Sequence, residues 1–94
     1  MLCEWDNDKD LANQRKHGIA FVDAVSVFDD PGLLSRFDEP HSLDEDRWVS
    51  LGRSDLGILC VVSHTFRDKN GEEYARIISA RKATKNEELQ YYSR

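Results

Sequence analysis

The sequence predicts an α+β fold with the element order β-α-α-β-β-β-α, an antiparallel sheet and helices packed on one of its faces. Three observations carry that expectation. Ile58 to Phe66 is apolar on both sides, the pattern of a central strand. Phe21, Ala24, Val25 and Phe28 fall at i, i+3, i+4 and i+7, the stripe of an amphipathic helix. Tyr74 to Arg81 follows the turn-forming Asp68-Lys69-Asn70-Gly71 and reads as a strand, and Thr84 with Glu87 three residues on forms a capping box that opens a helix.

The remaining elements follow in order. Met1 to Trp5 forms a short first strand. Asp6-Asn7-Asp8 supplies an N-cap and an acidic first turn for a helix running to about His17. Gly18 stops it, with Arg15, Lys16 and His17 at the negative end of the dipole. Leu11 is the expected buried residue of this polar helix. The second helix ends at Asp29-Asp30-Pro31-Gly32. Residues 33–45, with Pro40 and His41, read as loop that includes at most a short extended piece. Arg47 to Leu51 alternates as a strand closed by Gly52, and Ser54-Asp55-Leu56-Gly57 turns the chain into the central strand. Three consecutive strands make a meander, and the last helix, from about Lys85, carries Leu89, Tyr91 and Tyr92.

A chain of 94 residues predicts one domain, residues 1–94, with a single core. Its 39% hydrophobic and 33% charged content is that of a soluble globular protein. No apolar run approaches the ~20 residues that span a bilayer and no signal peptide is visible, so a cytoplasmic protein without a membrane partner is expected. Cys3 and Cys60 sit in apolar, strand-like settings and read as buried free thiols, with a disulfide left open. His17, His41 and His64 show no metal-ligand spacing, and neither a metal nor a cofactor is expected.

Charge is unevenly divided within a net of −5. Residues 1–50 hold five Lys/Arg and twelve Asp/Glu, and residues 51–94 hold eight and six. The acidic half excludes a broad electrostatic grip on nucleic acid, so a polyanion must be met locally on the C-terminal half. The acidic half could instead face a basic protein partner. From Tyr74 to Asn86 there is no acidic residue, while Arg76, Arg81, Lys82 and Lys85 concentrate positive charge. A guanidinium on a strand offers a planar fork suited to phosphate oxygens.

Candidate side chains fall on three elements: Lys16 and His17 at the first helix end; Glu45, Arg47 and Arg53 around the first meander strand; and His64, Arg67, Arg76, Ser79 and Arg81 on the two long strands. Structural readings compete with each. His17 can simply end a helix, His64 can sit in the core, Glu45 and Arg47 can pair across strands, and Tyr91 and Tyr92 can close the core. Period-two alternation sets Arg76 on the opposite face from Ser79 and Arg81. Both arginines serve one site only if Arg81 lies beyond the strand end or a bulge intervenes. Ser79 has no base at a recognisable spacing, and there is no Gly-rich phosphate loop.

Taken together, Glu4-Trp5-Asp6, Lys9, Asn13, Lys16-His17-Gly18, Phe21, Ala24, Phe28-Asp29-Asp30-Pro31 and Arg76-Ile77-Ile78-Ser79-Ala80-Arg81-Lys82-Ala83 resemble the BrnT family, toxins of bacterial type II toxin–antitoxin systems. Glu45-x-Arg47, Gly52-x-Ser54 and Leu59-x-Val61 fall where that family's pattern has them. The resemblance implies a RelE-like ribonuclease fold and a metal-independent endoribonuclease that uses the RNA 2′-hydroxyl as nucleophile. It implies a catalytic set of Lys16, His17, Glu45, Arg47, Arg76, Arg81 and Tyr91, with His17 or Glu45 as base and with Arg67, Lys82 and Lys85 as RNA contacts. It also implies a BrnA-like antitoxin with a ribbon-helix-helix DNA-binding domain, a toxin–antitoxin heterotetramer, and operator DNA reached only through the antitoxin. Two other readings stay open: a non-catalytic binding or co-repressor module, and a toxin acting on a protein target such as gyrase.

Overall fold

The computed structural model describes residues 1–93. Strands β1 (Leu2–Glu4), β2 (Leu34–Phe37), β3 (Trp48–Arg53), β4 (Leu59–Lys69) and β5 (Glu72–Lys82) form one sheet in the order β1-β5-β4-β3-β2. The two-sided apolar strand, β4, is central, and β3, β4 and β5 make the expected antiparallel meander. The β4–β5 hairpin turns through Asn70 and Gly71 at φ 55° and 84°, the left-handed pair that a two-residue turn of matching twist requires.

Three expectations are corrected. The sheet is mixed rather than antiparallel, because β1 runs parallel to β5, with Leu2 opposite Tyr74 and Glu4 opposite Arg76. A parallel neighbour is reached only through a long crossover, and here everything between β1 and β5 supplies it. Residues 34–37, within a stretch read as loop with at most a short extended piece, form a full edge strand with Leu34 opposite Leu51 and Phe37 opposite Trp48. Four alternating residues are too short a pattern to stand out until a neighbouring strand pairs with them.

The third correction concerns the helices, which lie on both faces. Helix α1 (Asn7–His17) and helix α2 (Phe21–Ala24), which continues into a 3-10 turn at Val25–Asp29, cover one face. Phe21, Ala24 and Val27 bury there against Cys60, Val62, Ala75, Ile77 and Ala80. Helix α3 (Lys85–Tyr92) lies against the other, where Tyr91 packs with Leu51, Leu59 and Val61. Successive residues of β4 point to opposite faces and are apolar on both, so each face needs a cover. Gly52 lets the 3-10 turn sit close on β3, since a Cβ there would stand 3.1 Å from Val27 Cβ and 2.9 Å from Leu33 Cδ1.

Asp6 caps α1 by accepting from the Asp8 and Lys9 N–H groups, and Gly18 closes it at φ 72°. The buried residue of α1 is Asn13, whereas Leu11 is 52% exposed. The reason is a bare strand edge. β1 covers β5 only from Tyr74 to Arg76, and beyond that the Asn13 amide stands in for a strand. Its Nδ2 donates to Ala80 O at 2.9 Å and its Oδ1 accepts from Ala80 N–H at 3.0 Å. Buried backbone donors and acceptors must be paired, which outweighs the cover a leucine would gain. Cys3 and Cys60 are free thiols, both pushed up in pKa by burial.

Candidate functional site

The site is organised by an irregularity in β5. Ser63 pairs with Ser79, but the next residue of β4, His64, pairs with Ile77, so Ile78 is an extra residue on β5. This β-bulge shifts the alternation of β5 by one place. Val61, Ser63 and Thr65 share one face of β4, and opposite them stand Arg81, Ser79 and Arg76. The two arginines therefore share a face, which strict period-two counting denied them. The register also sets Arg36 opposite Val49, Arg53 opposite Leu59 and Arg67 opposite Tyr74, all on that same face. Every arginine within a described strand thus points to the side that α3 only partly covers.

A hollow of about 530 Å³ opens on this face beside α3. Val49 and Val61 are among its apolar lining, and Arg36, His41, Ser63, Ser79, Arg81 and Glu87 are among its polar wall. Ser79 is shared with a smaller hollow holding Lys16, His17 and Ile78. His41 is shared with another, formed by Leu43, Asp44, Glu45 and Arg47. The three hollows are neighbours, at the end of α1, over the sheet face and at the loop before β3, joined by these shared lining residues.

Arg81 is held by Glu87 through paired contacts, Nη1 to Oε1 at 2.8 Å and Nη2 to Oε2 at 3.0 Å. The same carboxylate accepts the Thr84 N–H at 2.8 Å, completing the expected capping box. Arg81 first, and then the Thr84 N–H, hold the Glu87 carboxyl down to about 2. Glu87 in turn raises the Arg81 guanidinium. The fork is oriented before any ligand arrives, and its Nε–H stays available to an incoming oxyanion. Further along the face, Glu4 Oε2 accepts from Lys69 Nζ at 2.8 Å and from Arg76 Nη1 at 3.2 Å. Lys69 first, then Arg76, lower the Glu4 carboxyl.

The residues expected at the site are distributed as follows. Arg81 lines the main hollow, and Lys16 with His17 flanks it at the bulge. Glu45 and Arg47 flank it at the loop, with Glu45 3.9 Å from Arg67. Arg76 shares the face but lies about 14 Å further along it, four residues of β4 away at ~3.4 Å each. Tyr91 is not at the hollow: it is 5% exposed, packs in the core under α3 and donates its hydroxyl to Asp30 Oδ2 at 2.6 Å. Lys85 is exposed at the start of α3, and Lys82, opposite Cys60, points to the other face.

Arg36, His41, Ser63 and Glu87 were not among the expected residues. Arg36 was hidden in a strand too short to recognise, and Glu87 was read only as a helix cap. His41 sits in the 3-10 turn Glu39–His41, with its Nδ1 3.1 Å and 3.0 Å from the two Asp38 carboxylate oxygens. That Asp-x-x-His spacing was the available signal. His64 is 1% exposed on the opposite face, its Nε2 2.7 Å from Ser50 Oγ, and Phe28 packs edge-on against its ring. Among the described residues, no group of three or more His, Cys, Asp or Glu could hold a metal ion.

The fold and site define a small α+β protein whose open sheet face carries a hollow lined by arginine, serine, histidine and carboxylate side chains. The chain belongs to the family of BrnT, the ribonuclease toxin of a type II toxin–antitoxin system, whose family model matches residues 5–87. It is similar to the 1.1 Å crystal structure of the Brucella abortus ribonuclease toxin BrnT, with a TM-score of 0.61 and 25% sequence identity. That similarity covers 90% of this chain and 99% of the Brucella chain. No curated protein matches the chain.

Proposed function

We propose that this chain is an endoribonuclease toxin that cuts RNA by metal-independent attack of a 2′-hydroxyl on its own phosphodiester. The observation that supports this best is the bulge at Ile78, which turns Arg76, Ser79 and Arg81 to one face. Added negative charge appears on phosphorus oxygens only near the transition state, so oriented guanidiniums there accelerate the reaction rather than merely bind substrate. Arg81 and Arg36 are placed to hold the scissile phosphate in the hollow. Arg76 and Arg67, further along the face, are placed to hold a flanking one. Lys16 with His17, and Glu45 with Arg47, line the hollows on either side of the main one. The element order, with one edge strand added, fits a RelE-like ribonuclease fold.

The partner in this reading is a BrnA-like antitoxin with a ribbon-helix-helix domain, which joins the toxin in a heterotetramer and reaches operator DNA on its behalf. A chain of net charge −5 offers that antitoxin a surface for basic residues. Incubating the folded protein with total RNA, with and without EDTA, tests the activity. Cleavage in both tubes is expected, because among the described residues no cluster of His, Cys, Asp or Glu could hold a catalytic metal. No cleavage in either tube by a well-folded sample would count strongly against the reading.

A further inference from the structure

His41 lines both the main hollow and the one beside it that holds Glu45 and Arg47. Its Nδ1 stands 3.0 Å from Asp38 Oδ2, and an ionised carboxylate can only accept a hydrogen bond. Nδ1 therefore carries the proton, and in the neutral ring the lone pair is on Nε2. Asp38 is itself held in place: its carbonyl accepts from Ser42 Oγ at 2.6 Å and its N–H donates to Arg47 O at 2.8 Å. The carboxylate is mostly covered, with its side chain 19% exposed, while the imidazole is 64% exposed. A half-buried orienting acid behind an open imidazole is an arrangement that suits general-base catalysis.

The two bases expected from the resemblance are less suitably placed. His17 lies in the hollow beyond Ser79, among Lys9, Ala12 and Lys16. Glu45 is exposed and faces Arg67. His41 alone of the three shares the main hollow with Arg36, Arg81, Ser63 and Ser79.

Resting on the ribonuclease reading above, we infer that His41 is the general base of the reaction and that Asp38 is its positioning residue. Nε2 takes the proton of the 2′-hydroxyl while the oxygen's electron pair forms the new bond to phosphorus. The P–O5′ bond breaks, its electron pair stays on O5′, and solvent water protonates that oxygen. The imidazolium, stabilised by Asp38, then returns its proton to the hydroxide left behind. The products are a 2′,3′-cyclic phosphate and a 5′-hydroxyl, and no co-reactant is consumed.

The test is single-turnover cleavage of a defined oligoribonucleotide by the wild type and by His41→Ala, His17→Ala and Glu45→Gln. His41→Ala should lose ~10²–10⁴-fold in rate, the usual worth of a positioned acid or base, and added free imidazole should restore part of it. Asp38→Asn should lower the rate with little change in KM and add nothing further in the His41→Ala background. A merely structural His41 would show no imidazole rescue. A wild type that cleaves alongside a His41→Ala variant of similar rate, or one that imidazole does not rescue, overturns the assignment. A folded wild type that fails to cleave overturns the ribonuclease reading itself.

Discussion

The two faces of the sheet are built from the same strands and differ in what alternation assigns to them. The face under α1 and α2 receives Cys60, Val62, Ala75, Ile77 and Ala80 and is closed. The face beside α3 receives Arg36, Ser63, Arg67, Arg76, Ser79 and Arg81 and stays partly open. A single inserted residue, Ile78, keeps both assignments consistent along β5. Without it, one half of the strand would turn its arginine toward the apolar core, where an unpaired charge is strongly destabilising. The comparison teaches that the apolar and the arginine-bearing positions are divided between faces, and that the bulge makes the division possible.

The sharpest way to break this comparison is to remove one side chain from each face. Arg81→Ala should lower kcat by ~10²–10³-fold, the loss typical of removing one donor to a developing oxyanion, while the protein keeps its fold. Normal cleavage by Arg81→Ala would remove the hollow from the chemistry. Ile77→Ala, at a residue 1% exposed on the closed face, should do the reverse. It should cost about 2–5 kcal/mol in urea unfolding and leave the rate per folded molecule unchanged. A rate defect in folded Ile77→Ala would show that the faces are coupled.

Asn13→Ala tests whether the closed face depends on a side chain acting as a strand. It leaves the Ala80 N–H and C=O unpaired at the β5 edge and should cost about 1–3 kcal/mol per unpaired group. A thermal midpoint equal to that of the wild type would mean the edge is satisfied some other way.

The smallest expected effect is a pH dependence from the closed face. Burial holds the His64 imidazole down to about 4 from its ordinary 6.5. The unfolded chain takes up a proton in that interval and the native state does not. Stability is therefore fully present above about 6.5 and is lost as pH falls toward about 4. Urea midpoints should be lower near pH 5 than near pH 7, and equal midpoints would contradict the burial of His64.

Much of the fold was legible because local patterns agree with it. Thr84 with Glu87, Asn70-Gly71, Gly18 and the two-sided apolarity of Ile58 to Phe66 each mark an element by its own chemistry. What was not legible depends on neighbours. Leu34 to Phe37 becomes a strand only beside β3, and Asn13 displaces Leu11 from the interior only because β1 is too short to cover β5. The site divides the same way. Arg81, Lys16, His17, Glu45 and Arg47 were singled out by type and motif, and each lines one of three neighbouring hollows. Tyr91 takes the competing reading, closing the core under α3 with its hydroxyl on Asp30, and not the catalytic one that the resemblance implied. The joint placement of Arg76 and Arg81 required a bulge that period-two counting could require but not locate.

The central claim is that the open face cuts RNA through the substrate's own 2′-hydroxyl. The most direct measurement is end-group analysis of an oligoribonucleotide cleaved by the wild type, beside a strand with a single 2′-deoxy nucleotide 5′ to the cut. The account predicts a 2′,3′-cyclic phosphate or its opened form on one fragment, a 5′-hydroxyl on the other, and no cleavage of the deoxy-substituted strand. A 5′-phosphate product, or full cleavage of the deoxy-substituted strand, would contradict it.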